Sequence, residues 1–162
     1  MSKIHPTTFH MALFLFSFLI SSCSSTLYDE QSDLLLTKYA QESNMGFLKL
    51  ERAFRDTGKV PAIDNIFYDS LRANLAVIHI RMSAMQQGEK SNRLLDQQFD
   101  QIEFLIDDTQ KLHTTAFYAE KSPKDFTPVN FSVARQLINS YLRTLIAHES
   151  VLKVGSTDMD KT

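Results

Sequence analysis

Apolar and polar positions alternate along the chain in four long stretches with the period of an α-helix. From about Leu27 to Thr57, Leu36, Ala40, Ser43, Phe47, Leu50 and Phe54 recur at steps of four and three, which keeps them on one helical face. From about Pro61 to Gln87 the same rhythm runs through Phe67, Leu71, Leu75, Ile78, Met82 and Met85. A third stretch, about Ser91 to Ala119, carries Leu95, Phe99, Ile102, Ile106, Thr109, His113 and Ala116 in register. A fourth, about Pro128 to Val154, carries Ala134, Ile138, Tyr141, Leu145 and Leu152. The punctuation agrees. Gly58 suits the C-cap of the first helix, Pro61 the first position of the second and Gly88 its end. Ser91 suits the N-cap of the third, and Gly155 the end of the fourth. Ser122-Pro123-Lys124-Asp125, in the longest break, resembles a capping box.

Four helices of similar length with short connections predict an all-α fold. The expected arrangement is an up-down-up-down antiparallel four-helix bundle over residues 27–154, followed by a flexible polar tail over 155–162. Glu51/Arg55, Glu89/Arg93, Asp107/Lys111 and Glu149/Lys153 add favourable pairs four residues apart.

The bundle gives each polar residue a height. His79, Arg81, Met82, Met85, Asp96, His148 and Glu149 fall toward the end where the first helix starts. His113 falls toward the other end, near Asp64 and Phe131. Arg81 and Glu149 are therefore expected to form a cross-helix ion pair, with Asp96 as a competitor. His79 and His148 are within reach of each other but not of His113, which argues against a three-histidine metal site. His113 itself lies in an apolar stripe and reads as an interior histidine. Asp96, Asp100, Glu103 and Asp107 form a carboxylate stripe on the third helix, read as a solvated face balanced by Arg72, Arg135 and Arg143, or else as a strip for a basic partner. Phe67, Tyr68, Phe117, Tyr118, Phe126 and Phe131 gather toward the far end, as core or, if exposed, as an adhesive patch.

Hydrophobic residues make up 43% of the chain and charged ones 22%, the balance of a globular protein rather than a disordered one. The formal net charge of −2 supplies no basic face for nucleic acid. Catalytic and cofactor signatures are missing. There is no Glu-x-x-His for a di-iron bundle, no Cys-x-x-Cys-His for covalent haem, no His-Glu-x-x-His, Gly-x-Ser-x-Gly or phosphate loop. His79-x-x-Met82-x-x-Met85 has ligand types that suit copper, but steps of three spread over about 120° of a helix and both methionines fit the core stripe. The reading assigns no catalytic residue, no cofactor and no metal, and expects a protein that is not an enzyme.

The first 22 residues follow a different pattern. A short polar start bearing Lys3 is followed by Met11 to Ile20, ten apolar or small residues. That run is too short to span a membrane, which takes roughly 20, and fits the apolar part of an export signal. The one cysteine of the chain follows directly, in Ile20-Ser21-Ser22-Cys23. These residues resemble a lipobox, and the chain is similar to the small helical-bundle lipoproteins of bacterial envelopes. The resemblance implies cleavage of the 1–22 signal peptide between Ser22 and Cys23, a lipid thioether on Cys23, acylation of its amino group by a palmitate-type chain, and a lipidated linker over 23–26. It also implies the outer membrane, facing the periplasm, because Ser24 stands where an aspartate favours retention in the inner one. Each buried methylene contributes about 0.8 kcal/mol, so two or three acyl chains anchor a protein where one does not.

The function expected from these features is a membrane-anchored envelope protein that presents a helical bundle to a protein partner or to the envelope structure. The alternative is a periplasmic binding module for a metal, haem or a small apolar ligand.

Overall fold

The computed structural model describes residues 28–85, 89–119 and 128–159. The expected export signal, Cys23 and its expected linker, Leu27, Gly88, Phe126 and the expected capping box at Ser122–Asp125 lie outside them. Among the described residues the secondary structure is all helical, with no strands: α1 Glu30–Thr57, α2 Asn65–Met85, α3 Glu89–Tyr118 and α4 Pro128–Met159. None of these helices is long and apolar enough to cross a membrane. α1 packs against α2 and α4, and α3 packs against the same two helices, so one core lies between all four.

The core follows the predicted rhythm. Leu36, Phe47 and Leu50 of α1, Leu71, Leu75, Ile78 and Met82 of α2, and Leu95, Phe99, Ile102 and Ile106 of α3 are buried together. Phe54, Met85 and Leu152 are only partly buried, and at three further positions a neighbour takes the core place. Tyr39, rather than Ala40, and Tyr68, rather than Phe67, are fully buried, and on α4 Leu142 takes the core position expected for Tyr141. In each case the side chain one residue along the helix, about 100° round, points more directly at the centre.

Several boundaries move. α1 begins at Glu30 because Asp29 caps it. Gly58 ends it as expected, with φ 65° and its N–H donated to the Phe54 carbonyl. α2 begins at Asn65, not Pro61, because Asp64 accepts the Phe67 N–H at 3.0 Å and the Pro61 carbonyl is taken up by His113 at 2.9 Å. α3 begins at Glu89, which places the expected cap Ser91 inside the helix. α4 runs through Gly155 to Met159, so part of the expected tail is helical. A glycine stops a helix by adopting positive φ, and Gly58 is the positive-φ glycine here.

Candidate functional site

Asp29 organises the end at which α1 begins. Its Oδ1 accepts the Gln31 N–H at 3.3 Å and its Oδ2 accepts the Ser32 hydroxyl at 2.6 Å. Arg81 of α2 then donates from Nε and Nη2 to the same carboxylate at 2.8–3.2 Å. Burial opposes ionisation of Asp29, but the bonds from Ser32 and Arg81 and the guanidinium charge outweigh it and hold the carboxyl below its usual range.

The expected Arg81–Glu149 pair is thereby corrected: Arg81 pairs with Asp29. The heights were right, but a helix cap lies closer to the guanidinium than α4 does. Glu149 is 3% exposed, its Oε2 has no protein hydrogen-bond partner, and its Oε1 stands 3.9 Å from His148 Nδ1. Burial, with Asp33 and Asp29 close by, pushes its carboxyl up to about 7. The Tyr28 hydroxyl donates to Asp33 at 3.0 Å, and the Lys153 ammonium lies 5.4 Å from the Tyr28 ring centre. A shallow hollow of about 540 Å³ opens beside these groups.

At the opposite end His113 is fully buried. Its Nε2 faces the Pro61 carbonyl at 2.9 Å, and a carbonyl only accepts, so that nitrogen carries the hydrogen. Nδ1 then accepts the Tyr68 hydroxyl at 3.0 Å. Burial lowers the pKa of the ring, which packs edge-on against Phe131 at 5.1 Å. This is a structural pin: it ties the α1–α2 connection to α3. Of the aromatics expected here, Tyr68 and Phe131 are core, whereas Phe117 and Tyr118 are exposed.

The α2–α3 edge takes up two members of the carboxylate stripe, Asp96 and Asp107. His79 donates to Asp96 at 2.7 Å and stacks on Phe99 with ring centres 4.4 Å apart, while Met82 is buried in the core. The His79-x-x-Met82-x-x-Met85 run thus gathers at no common point. Arg72 donates to Asp107 at 2.7 Å and to Asp69 at 3.0 Å. Arg135 turns the other way, to Glu51 and Asn44 of α1, each at 3.2 Å. Among the described residues no three His, Cys, Asp or Glu side chains are grouped to hold a metal ion.

The groove between α3 and α4 has a different character. Leu105, Asp108 and Leu112 of α3 and Val133, Ala134 and Leu137 of α4 line a hollow of about 260 Å³. Leu112, Val133 and Leu137 are exposed. The sequence reading missed this face because it assigned Tyr141 to the core. With Leu142 in the core instead, Val133, Leu137, Tyr141, Thr144, His148 and Val151 emerge as a second stripe on α4, at steps of four and three. The signal was present as a second weak periodicity displaced by roughly a third of a turn.

No family model, no curated protein and no solved structure matches the chain.

Proposed function

We propose that this protein is a non-enzymatic envelope lipoprotein, anchored through lipid on Cys23, that acts by docking the α3–α4 face of an up-down-up-down antiparallel helical bundle onto a protein. The observation that carries the docking half is the groove lined by Leu105, Leu112, Val133 and Leu137, whose single fully charged lining residue is Asp108. Contiguous exposed apolar surface of this kind marks interaction sites on globular proteins. The anchoring half rests on the leader pattern and on Ile20-Ser21-Ser22-Cys23, and Ser24 favours the outer membrane with the bundle in the periplasm. Cys23 precedes Tyr28 by five residues, about 18 Å of chain at full extension. Under this reading the Asp29–Arg81 end stays close to the lipid surface and the α3–α4 groove is presented along the side of the bundle.

The antiparallel arrangement is supported by the order of the cross-helix contacts. Asp29 meets Arg81 while Phe47 meets Phe67, and His79 meets Asp96 while Tyr68 meets His113. Glu51 meets Arg135 while Tyr28 meets Lys153.

A photo-reactive residue placed at Leu137 in the full chain, in intact cells, tests the docking face. A discrete protein adduct at Leu137, and none when the same group stands at Ile80 on α2, is the expected result. No adduct at Leu137, or equal adducts at both positions, contradicts it.

A further inference from the structure

We propose that the occupant of the α3–α4 groove is a second copy of this chain, so that the protein is a homodimer joined through these two helices. The inference rests on the docking role of the groove and adds the identity of the partner.

Three observations carry it. The first is spacing. On α4 the second stripe runs from Val133 to Val151, and on α3 Leu94, Gln101, Leu105, Asp108 and Leu112 repeat at steps of seven, four, three and four. Steps of four and three are the rhythm of helices that pack lengthwise on other helices. α3 and α4 already use one such stripe for the core, and the second faces outward with Leu94, Leu112, Val133, Leu137 and Val151 exposed. A surface built to take long helices is itself made of long helices, which is the condition for self-complementarity.

The second is area. Each stripe spans 18 residue steps, or about 27 Å at 1.5 Å per residue. Two helices about 9 Å apart, each about 11 Å across, make a face roughly 20 Å wide. The projected face is about 540 Å² per copy, so two copies bury roughly 1,100 Å², above the ~1,000 Å² that separates a biological interface from an incidental one.

The third is charge. A two-fold contact sets a surface against its own image, so a strongly signed surface repels itself. Along these stripes the acidic or basic side chains are Asp108 and His148. Elsewhere, Ile66, Val77 and Ile80 are exposed on α2 and Leu34 and Met45 on α1, and the groove between these two helices is lined by the charged Lys38–Glu42 pair. A partner recognised by charge would find little to read in the α3–α4 groove, whereas a copy of the groove finds its match. Lipid anchoring adds to this by holding copies on one surface at one height, which raises their effective concentration.

The test uses the full lipidated chain extracted in mild detergent, with its mass measured by native mass spectrometry and sedimentation. The wild type is expected to be dimeric. Leu137→Lys is expected to weaken self-association ten-fold or more while helical circular dichroism is kept, and Ile80→Lys to leave the dimer intact. Leu137→Cys and Ile80→Cys give a reading that does not depend on a destabilising change. A bis-maleimide applied to membranes is expected to link two chains at Leu137→Cys and not at Ile80→Cys. A wild type that stays monomeric at every concentration overturns the proposal, as does a dimer that survives Leu137→Lys. A monomeric wild type whose photo-reactive Leu137 still captures one different protein overturns the homodimer and leaves the docking face standing. A monomer with no adduct at Leu137 overturns both.

Discussion

Arg81 on α2 reaches the carboxylate of Asp29, the cap of α1, with two of its nitrogens, and the two helices are thereby fastened at the end where the chain enters the fold. One carboxylate serves as helix cap and as ion-pair partner, so its two roles separate on substitution. Asp29→Asn keeps an oxygen for the cap and loses the charge. Asp29→Ala loses both. Arg81 is 38% exposed, which screens the pair to about 0.5–1 kcal/mol, while loss of a cap typically costs about 1 kcal/mol. Denaturant titration should therefore rank wild type above Asp29→Asn above Asp29→Ala, with the last lower by about 1–2 kcal/mol. In a double-mutant cycle Arg81→Ala should add little once Asp29 is alanine. Full additivity of the two substitutions would show that the contact contributes nothing.

Glu149 makes stability depend on pH in an unusual direction. Its folded pKa is raised from 4.5 to about 7 by burial and by Asp33 and Asp29, so the folded state holds its proton more tightly than the unfolded chain does. Its contribution is fully present below about 4.5, falls as pH rises toward about 7 and is constant above, a total of roughly 3 kcal/mol. His113 acts with the opposite sign. Its folded pKa is lowered from 6.5 by burial, so its contribution is present above 6.5 and is lost as pH falls toward the folded value. Glu149→Gln keeps the shape and removes the charge. Thermal unfolding from pH 4 to pH 9 should show the variant more stable than wild type above pH 7 and nearly equal to it at pH 4. Parallel profiles for the two proteins would exclude a buried, proton-binding Glu149.

Gly46 is the second glycine with a specific task. The Phe67 ring lies directly on it, and a Cβ there would collide with Phe67 Cε2 and Cζ. Elsewhere in a helix, Gly→Ala gains up to about 1 kcal/mol. Here Gly46→Ala should instead destabilise by about 1–3 kcal/mol, because the ring must leave its edge-on contact with Phe47 at 5.4 Å. Adding Phe67→Ala should recover the helix gain, so that Gly46→Ala is stabilising in that background. If chemical denaturation finds Gly46→Ala neutral or favourable in the wild-type background, the close approach of α2 to α1 is wrong.

The fold was legible in the sequence because a core face repeated at steps of four and three leaves little choice about where each helix turns its apolar side. Boundaries were legible where one residue decides them, as at Gly58, and not where context does. Pro61 looked like a helix start, but its carbonyl is bound by His113, a residue 52 positions away. Gly155 looked like a stop, but nothing drives it to positive φ. The interior His113 was legible from its place in the apolar stripe. Arg81 and Glu149 were legible as residues of one end, because height follows from counting at 1.5 Å per residue. Which of them would touch was not, since rotation about the axis depends on the cap Asp29, three positions before Ser32, the first buried residue of α1. The α3–α4 groove was hidden for a related reason: Tyr141 and Leu142 compete for one core position, and only packing against the two neighbouring helices, α1 and α3, decides between them.

The proposed lipid anchor at Cys23 is the central claim, and metabolic labelling of cells with a clickable fatty acid measures it directly. The account predicts label on the wild-type chain, none on Cys23→Ala, and a mature amino terminus at residue 23. An unlabelled wild-type chain, or equal label on Cys23→Ala, would contradict it.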